Sequence, residues 1–307
     1  MITFKKRKIE NFEFLEHPRV LRSYFPFGLQ NLLPRQLRII IHKLIKSKNN
    51  KIFFNEAEAT AIENKLTENN KDSNPNFSNL IFNTHDIDSI YGFTAIEDLL
   101  KLENDYNIKS IWFVNYAAVC NQKQSLKIIE KLLNAGAEIG LHDIIHDFKT
   151  PYLDEINIRK KLDSARSFCE KYKIIAYRSA GLFRTKKMFE ILKDYFKIDS
   201  SIPAFLVSNR GACYRLNPFK ISDILEIPVT APMDSDLIFA DLSEQEMLDC
   251  LKKYYILIDK FNGCITQVTY TEPHFFGNKK YFTIYKKVLE LLLSHKKIRL
   301  FRELITN

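Results

Sequence analysis

No stretch of the 307-residue chain is apolar without interruption for the ~18 residues a membrane-crossing helix needs, which argues against a spanning protein. The segment from Met1 to Arg22 is charged and has no apolar h-region, so no secretory signal is visible and a cytoplasmic location is expected. Cysteine is sparse. Cys120, Cys169, Cys213, Cys250 and Cys264 are odd in number and show no paired spacing, which predicts reduced, packed thiols rather than a disulfide framework. No internal repeat is evident. A nucleic-acid module is also missing, as is a basic stripe interleaved with aromatics, so the net charge of +9 is not read as nucleic-acid binding.

What is present begins with a basic, aromatic-rich leader of about 50 residues. Within residues 27–46, Pro34 suits the first turn of a helix. Leu37, Ile40, Ile41, Leu44 and Ile45 then recur at helical spacing, with Arg35, Arg38, His42, Lys43 and Lys46 on other faces. Two readings stay open for this basic amphipathic helix: docking on the main domain, or peripheral contact with the inner face of a membrane. Residues 55–78 are polar and read as a helix fragment followed by a linker. The expected division is therefore an extension over 1–78 and a main domain over 79–307.

From residue 79 onward, strand-like and helix-like runs alternate. Strands are expected at 80–83, 111–115, 139–141, 174–177, 196–199, 224–229, 265–270 and 298–301. Helical patterns between them cover 95–106, 126–134, 156–172, 185–195, 244–261 and 281–294. Such alternation argues for an α/β fold with a parallel sheet. Seven or eight βα units in a row suggest a (β/α) barrel, in which chemistry collects at the carboxyl ends of the strands.

Polar clusters lie at those ends. Thr84-His85-Asp86-Ile87-Asp88 follows the first strand, and His142 and His146 follow the third. On an extended backbone Asp86 and Asp88 share a side. On a helical turn two histidines four apart share a face, a known zinc geometry. Catalytic zinc commonly keeps three protein ligands and one open position, and two histidines plus one aspartate supply such a set. Arg178 ends the fourth strand, where a guanidinium can hold a carboxylate. Asp199 ends the fifth, either orienting a histidine or capping a turn, and His274 follows the seventh, placed to protonate a leaving amine.

Taken in order, these clusters resemble the NodB-homology polysaccharide deacetylase family. Thr84, Asp86 and Asp88 resemble a T-H-D-x-D variant of its first motif, and His142 with His146 resembles its H-[S/T]-x-x-H motif, with Asp143 in place of the hydroxyl residue. Arg178 matches the arginine of R-x-P-x-G, although Ala180 replaces proline and Gly181 comes one place early. Asp199-Ser200 and His274 are similar to the fourth and fifth motifs, and Ser110–Val114 and Asn134–Gly140 resemble flanking text. The resemblance spans about residues 79–303 and implies a distorted barrel of about seven βα units.

It also implies roles. Asp86 is the base, steadied by Arg178. Asp88, His142 and His146 are the metal ligands, and His274, oriented by Asp199, is the acid. Asp88 is displaced by one place from the usual second aspartate, which leaves an exchange of roles between Asp86 and Asp88 open. Zinc is the expected ion, with cobalt, nickel and iron compatible with N/O ligation. The implied reaction removes an N-acyl group, with N-acetyl as the expected group, from a sugar of a surface-glycan precursor, either a nucleotide sugar or a lipid-linked sugar, the basic leader fitting the second. Two other readings remain: a carbohydrate-binding scaffold that has lost catalysis, and a metal amidohydrolase of small non-sugar amides.

Overall fold

The computed structural model describes residues 56–70, 77–78, 80–120, 122–205, 212–295 and 297–305. The segment 27–46, and with it the membrane-contact expectation, lies outside the described residues.

The chain enters through helix α1 (Glu56–Asn69) and then builds a nine-stranded sheet. Its strands are β1 (Leu80–Ile87), β2 (Ile111–Val114), β3 (Glu138–Leu141), β4 (Ala176–Tyr177), β5 (Ile198–Asp199), β6 (Phe219–Ile221), β7 (Ile224–Glu226), β8 (Ile265–Tyr270) and β9 (Lys297–Ile298). The order is β6-β7-β5-β4-β3-β2-β1-β8, parallel except for the β6–β7 pair. β9 pairs with Leu80 and Ile81, on the edge of β1 that β2 takes up from Thr84. Helices α2 (Ile96–Asp105), α3 (Lys123–Asn134), α4 (Glu155–Ser164), α5 (Arg166–Lys171), α6 (Lys186–Leu192), α7 (Asp234–Phe239), α8 (Glu244–Lys260) and α9 (Phe282–His295) connect the strands.

The barrel is distorted because, among the described residues, no ladder closes it. Instead, Ala231 N–H reaches Thr266 O at 3.2 Å and Thr266 N–H reaches Thr230 Oγ1 at 2.7 Å. This is the fold class read from the strand–helix alternation.

Strand alternation sorts the side chains into two layers. Ile81, Ile87, Trp112, Val114, Ile139 and Leu141 face outward into the core under the helices. Phe82, Ile111, Phe113, Ala176, Ile198 and Leu225 face inward and, with Phe301, plug the lower barrel. Phe82 and Phe113 meet the ring of Phe301 at 5.0 and 6.0 Å between centroids. Burying each such ring stabilises the fold by roughly 1.5–3 kcal/mol. Above this plug, the inward positions of β1 are polar: Thr84 and Asp86.

Several elements differ from expectation. β1, expected to end at residue 83, runs on to Ile87, so Thr84 and Asp86 lie within the strand between β2 and β8, and Asp88 follows just beyond its end. β6 forms a tight hairpin with β7 through Ser222 and Asp223, both at positive φ (45° and 68°), and its three residues are too short to show a pattern. The helix expected over 156–172 breaks at Ala165 into α4 and α5. α7 was not anticipated, being only six residues long. Helix α1 packs on the barrel, with Leu66 fully buried and Asn70 bonding Tyr214 O and Leu216 N–H at 2.8 and 2.9 Å.

Candidate metal centre

At the carboxyl ends of β1 and β3 three side chains converge. Asp88 Oδ1 lies 3.0 Å from Nε2 of His142 and 3.2 Å from Nε2 of His146. The three ligand atoms lie within 4.8 Å of one another. None of them has a partner at hydrogen-bonding geometry, although His142 is buried. Buried polar atoms without partners are rare and call for an explanation. Two imidazole nitrogens and a carboxylate oxygen turned toward one point form the donor set of a divalent cation.

The tautomer of His142 supports this fit. Its Nδ1 lies 3.1 Å from the carbonyl oxygen of Arg178. A carbonyl only accepts, so Nδ1 carries the hydrogen and the Nε2 lone pair faces the cluster, as in metal-ligating histidines. Burial works against a charged His142, but the carboxylates of Asp86 and Asp88 outweigh it and raise its pKa. Burial likewise pushes the Asp88 carboxyl up, and the imidazoles of His146 and His142 pull it well below the usual carboxylate range.

The histidines do not sit on a helical turn, and that expectation is corrected. Asp143 adopts φ 59°, and its Oδ1 accepts from Ile144 N–H at 2.7 Å and from Thr150 Oγ1 at 2.8 Å. This side-chain staple folds the loop back, so the two rings still come within 5.1 Å between centroids. Asp143 is thus the structural member of the motif, with its carboxyl raised by burial. His146 is steadied further by the edge of Phe148, 4.8 Å away.

Asp86 sits one layer below, fully buried. Its Oδ1 accepts from Arg178 Nη1 at 2.7 Å, while Oδ2 has no hydrogen-bond partner and lies 3.9 Å from His142 Nε2. The guanidinium of Arg178 also bonds Thr84 Oγ1 at 2.9 Å, Ser200 O at 2.9 Å and Ser200 Oγ at 2.9 Å, and it lies 4.1 Å over the ring of Phe113. Gly140 leaves space for that ring: a Cβ there would stand 2.6 Å from Phe113 Cδ1. One oxygen of Asp86 is therefore fixed and the other is left facing the histidines.

The structure brings Asp86, Asp88, His142, His146 and Arg178 together. Asp199 is placed elsewhere: Oδ1 accepts from Ser201 N–H and Oδ2 from Ser201 Oγ, each at 3.0 Å, and burial raises its carboxyl beside Glu226. The turn-capping role fits this geometry and replaces the expectation that Asp199 orients His274. The serine next to it, Ser200, is the one that holds Arg178. His274 is exposed on the loop after β8, with its ring 4.2 Å from that of Phe275. From that loop Glu272 reaches the Asp88 turn, its Oε1 accepting from the Asp88 and Ser89 N–H groups at 2.9 and 3.0 Å, and sequence reasoning passed over it. An acidic residue directly after a strand was the available signal. Phe113 and Thr84 were likewise seen as motif text, without their contact to Arg178.

The fold and this cluster define a distorted (β/α) barrel with a candidate metal centre at its mouth. Among solved structures the chain is similar to a "putative polysaccharide deacetylase" from Mycobacterium smegmatis, with 15% identity, TM-score 0.58 and coverage of 71% of this chain and 85% of that one. It is similar to Puue allantoinase at 12% identity and TM-score 0.58, over 74% and 90% of the two chains. A CE4 family pseudoenzyme from Bacillus anthracis matches at 13% identity and TM-score 0.52, over 75% and 66%. At such identities the likeness shows the fold, which is that of the polysaccharide deacetylases. No protein-family model matches the chain, and no curated protein matches it.

Proposed function

We propose that this chain is a metal-dependent hydrolase that removes an N-acyl group from a sugar. The observation that carries the reading is the meeting of Asp88, His142 and His146 directly above an Asp86 held by Arg178. Asp88, His142 and His146 are the residues that would hold the cation. When bound, a divalent ion there supplies Lewis acidity toward an acyl carbonyl and lowers the pKa of water.

The chain's own residues do the rest. Asp86 Oδ2, unpartnered and aimed at the cluster, accepts a proton from the attacking water as the water oxygen bonds to the acyl carbon. Arg178 keeps the other oxygen of Asp86 in place, so the carboxylate does not turn away. The C–N bond breaks and the departing amine takes a proton, a role the family resemblance gives to His274. The products are a carboxylate and a free amino sugar.

A shared fold also covers an allantoinase and a pseudoenzyme, so the fold does not by itself choose substrate or activity. Elemental analysis of the purified protein against His142→Ala/His146→Ala decides the metal reading. Stoichiometric divalent metal in the parent and its loss in the variant are expected; equal content in both overturns the reading. Zinc is the expected ion. The finer proposal is a lipid-linked glycan precursor, reached through attraction of the basic residues within 27–46 to an anionic membrane. Co-sedimentation with anionic liposomes tests it against a variant carrying Glu at Arg35, Arg38, Lys43 and Lys46; equal binding removes the membrane part.

A further inference from the structure

We propose that Glu272 is a positioning residue of the metal centre: its carboxylate takes over where the sheet ends and fixes the backbone that aims Asp88. The inference rests on the metal reading above and adds a residue to it.

Asp88 stands beyond both ladders that hold β1. The pairing with β8 ends at Asp86 opposite Tyr270, and that with β2 ends at Ile87 opposite Val114. The last backbone bonds are Thr271 N–H to Asp86 O at 3.2 Å and Asn115 N–H to Ile87 O at 3.1 Å. The next two amides, those of Asp88 and Ser89, both donate to Glu272 Oε1, at 2.9 and 3.0 Å. The Ser89 hydroxyl approaches the same oxygen at 3.4 Å. One carboxyl oxygen thus replaces the missing ladder, and the Asp88 backbone cannot shift away from the imidazoles without breaking two bonds.

The clamp is itself anchored. Glu272 is buried, and its loop is tied down by the fully buried Asp234, whose Oδ2 accepts from Tyr270 N–H at 3.1 Å and Phe276 N–H at 3.0 Å. The turn that follows Asp88 closes over Glu272 with no room to spare. A Cβ on Gly92 would stand 2.8 Å from Glu272 Oε1 and collide with Thr271 Oγ1. Gly92 N–H bonds Ser89 O at 3.1 Å, completing the wrap. Two different substitutions therefore disturb one clamp: removing the carboxylate, and adding a methyl group that displaces it.

The test measures Zn2+ affinity of the full chain by competition with a chromogenic chelator, and the d–d spectrum of the Co2+-loaded protein. Removal of an outer partner of a ligand commonly costs 10–100-fold in metal affinity. Glu272→Ala and Gly92→Ala are each expected to weaken Zn2+ binding by about that factor and to shift the Co2+ bands. Glu272→Gln keeps an acceptor oxygen and should fall between these and the parent. Far-UV circular dichroism of the metal-free variants confirms the fold. Parent-like affinity in folded Glu272→Ala overturns the proposal; if that variant does not fold, parent-like affinity in Gly92→Ala overturns it. A parent that binds no Zn2+ sinks the metal reading and this inference with it, whereas a parent that binds, beside a His142→Ala variant that does not, leaves the clamp alone under test.

Discussion

Nη1 of Arg178 lies 2.7 Å from Oδ1 of Asp86, and both side chains are fully buried. A pair so placed gains little over a well-packed apolar pair, but breaking it strands a charge, which typically costs 3–5 kcal/mol. Arg178→Met is therefore expected to destabilise the protein by about 3–5 kcal/mol in urea unfolding. Arg178→Lys keeps the charge but cannot span Thr84, Asp86 and Ser200 with one planar fork, so it should also lose stability, though less. A Lys variant as stable as the parent would show that the fork is dispensable.

Asp86→Asn is expected to bind metal as the parent does and to lose turnover by roughly 10²–10⁴-fold, the usual contribution of a general base. Acetate release from an N-acetylated chito-oligosaccharide, measured beside metal content, checks both halves. Surviving turnover would transfer the base role to another group. Lost metal would favour the exchange of roles between Asp86 and Asp88.

Gly140 faces Phe113 so closely that a methyl group would have to displace the ring, with 2.6 Å between the added Cβ and two ring carbons. That ring is the floor under the Arg178 guanidinium. Gly140→Ala is expected to cost about 1–3 kcal/mol from overpacking and to lower turnover by tilting Arg178. Chemical unfolding and kinetics on one preparation test it; an unchanged unfolding midpoint would show that the ring yields freely.

Glu138, at the opposite end of β3, gives a pH signature independent of the site. Burial pushes its carboxyl up to about 7 from 4.5, against the opposing N–H of Arg302. Between those values the folded protein holds a proton that the unfolded chain has released. Stability is therefore present below about pH 4.5 and falls as pH rises toward 7, by about 3 kcal/mol at 1.36 kcal/mol per unit. Glu138→Gln removes this slope. The variant should match the parent at pH 4 and exceed it at pH 8 in urea unfolding; equal stability at both would contradict the shift.

Much of this molecule was written along the chain. Alternating strand and helix patterns over residues 79–303 are local, and they gave the barrel and most of its elements. The strand-end clusters at Asp86, Asp88, His142 and His146 were legible because strand periodicity and barrel geometry direct such residues to one rim. Short elements escaped, since β6 and α7 hold too few residues to show a period.

Tertiary structure alone decided how those residues are held. That Oε1 of Glu272 grips the Asp88 turn from a position 184 residues away depends on β1 and β8 being neighbours, which no local pattern encodes. The same holds for Ser200 rather than Asp199 facing Arg178, because a strand of two residues can present either side to the barrel axis until its neighbours fix the register. Residue types and spacing fix which donors are available. The hydrogen bonds that aim them arise from the order in which distant strands pack.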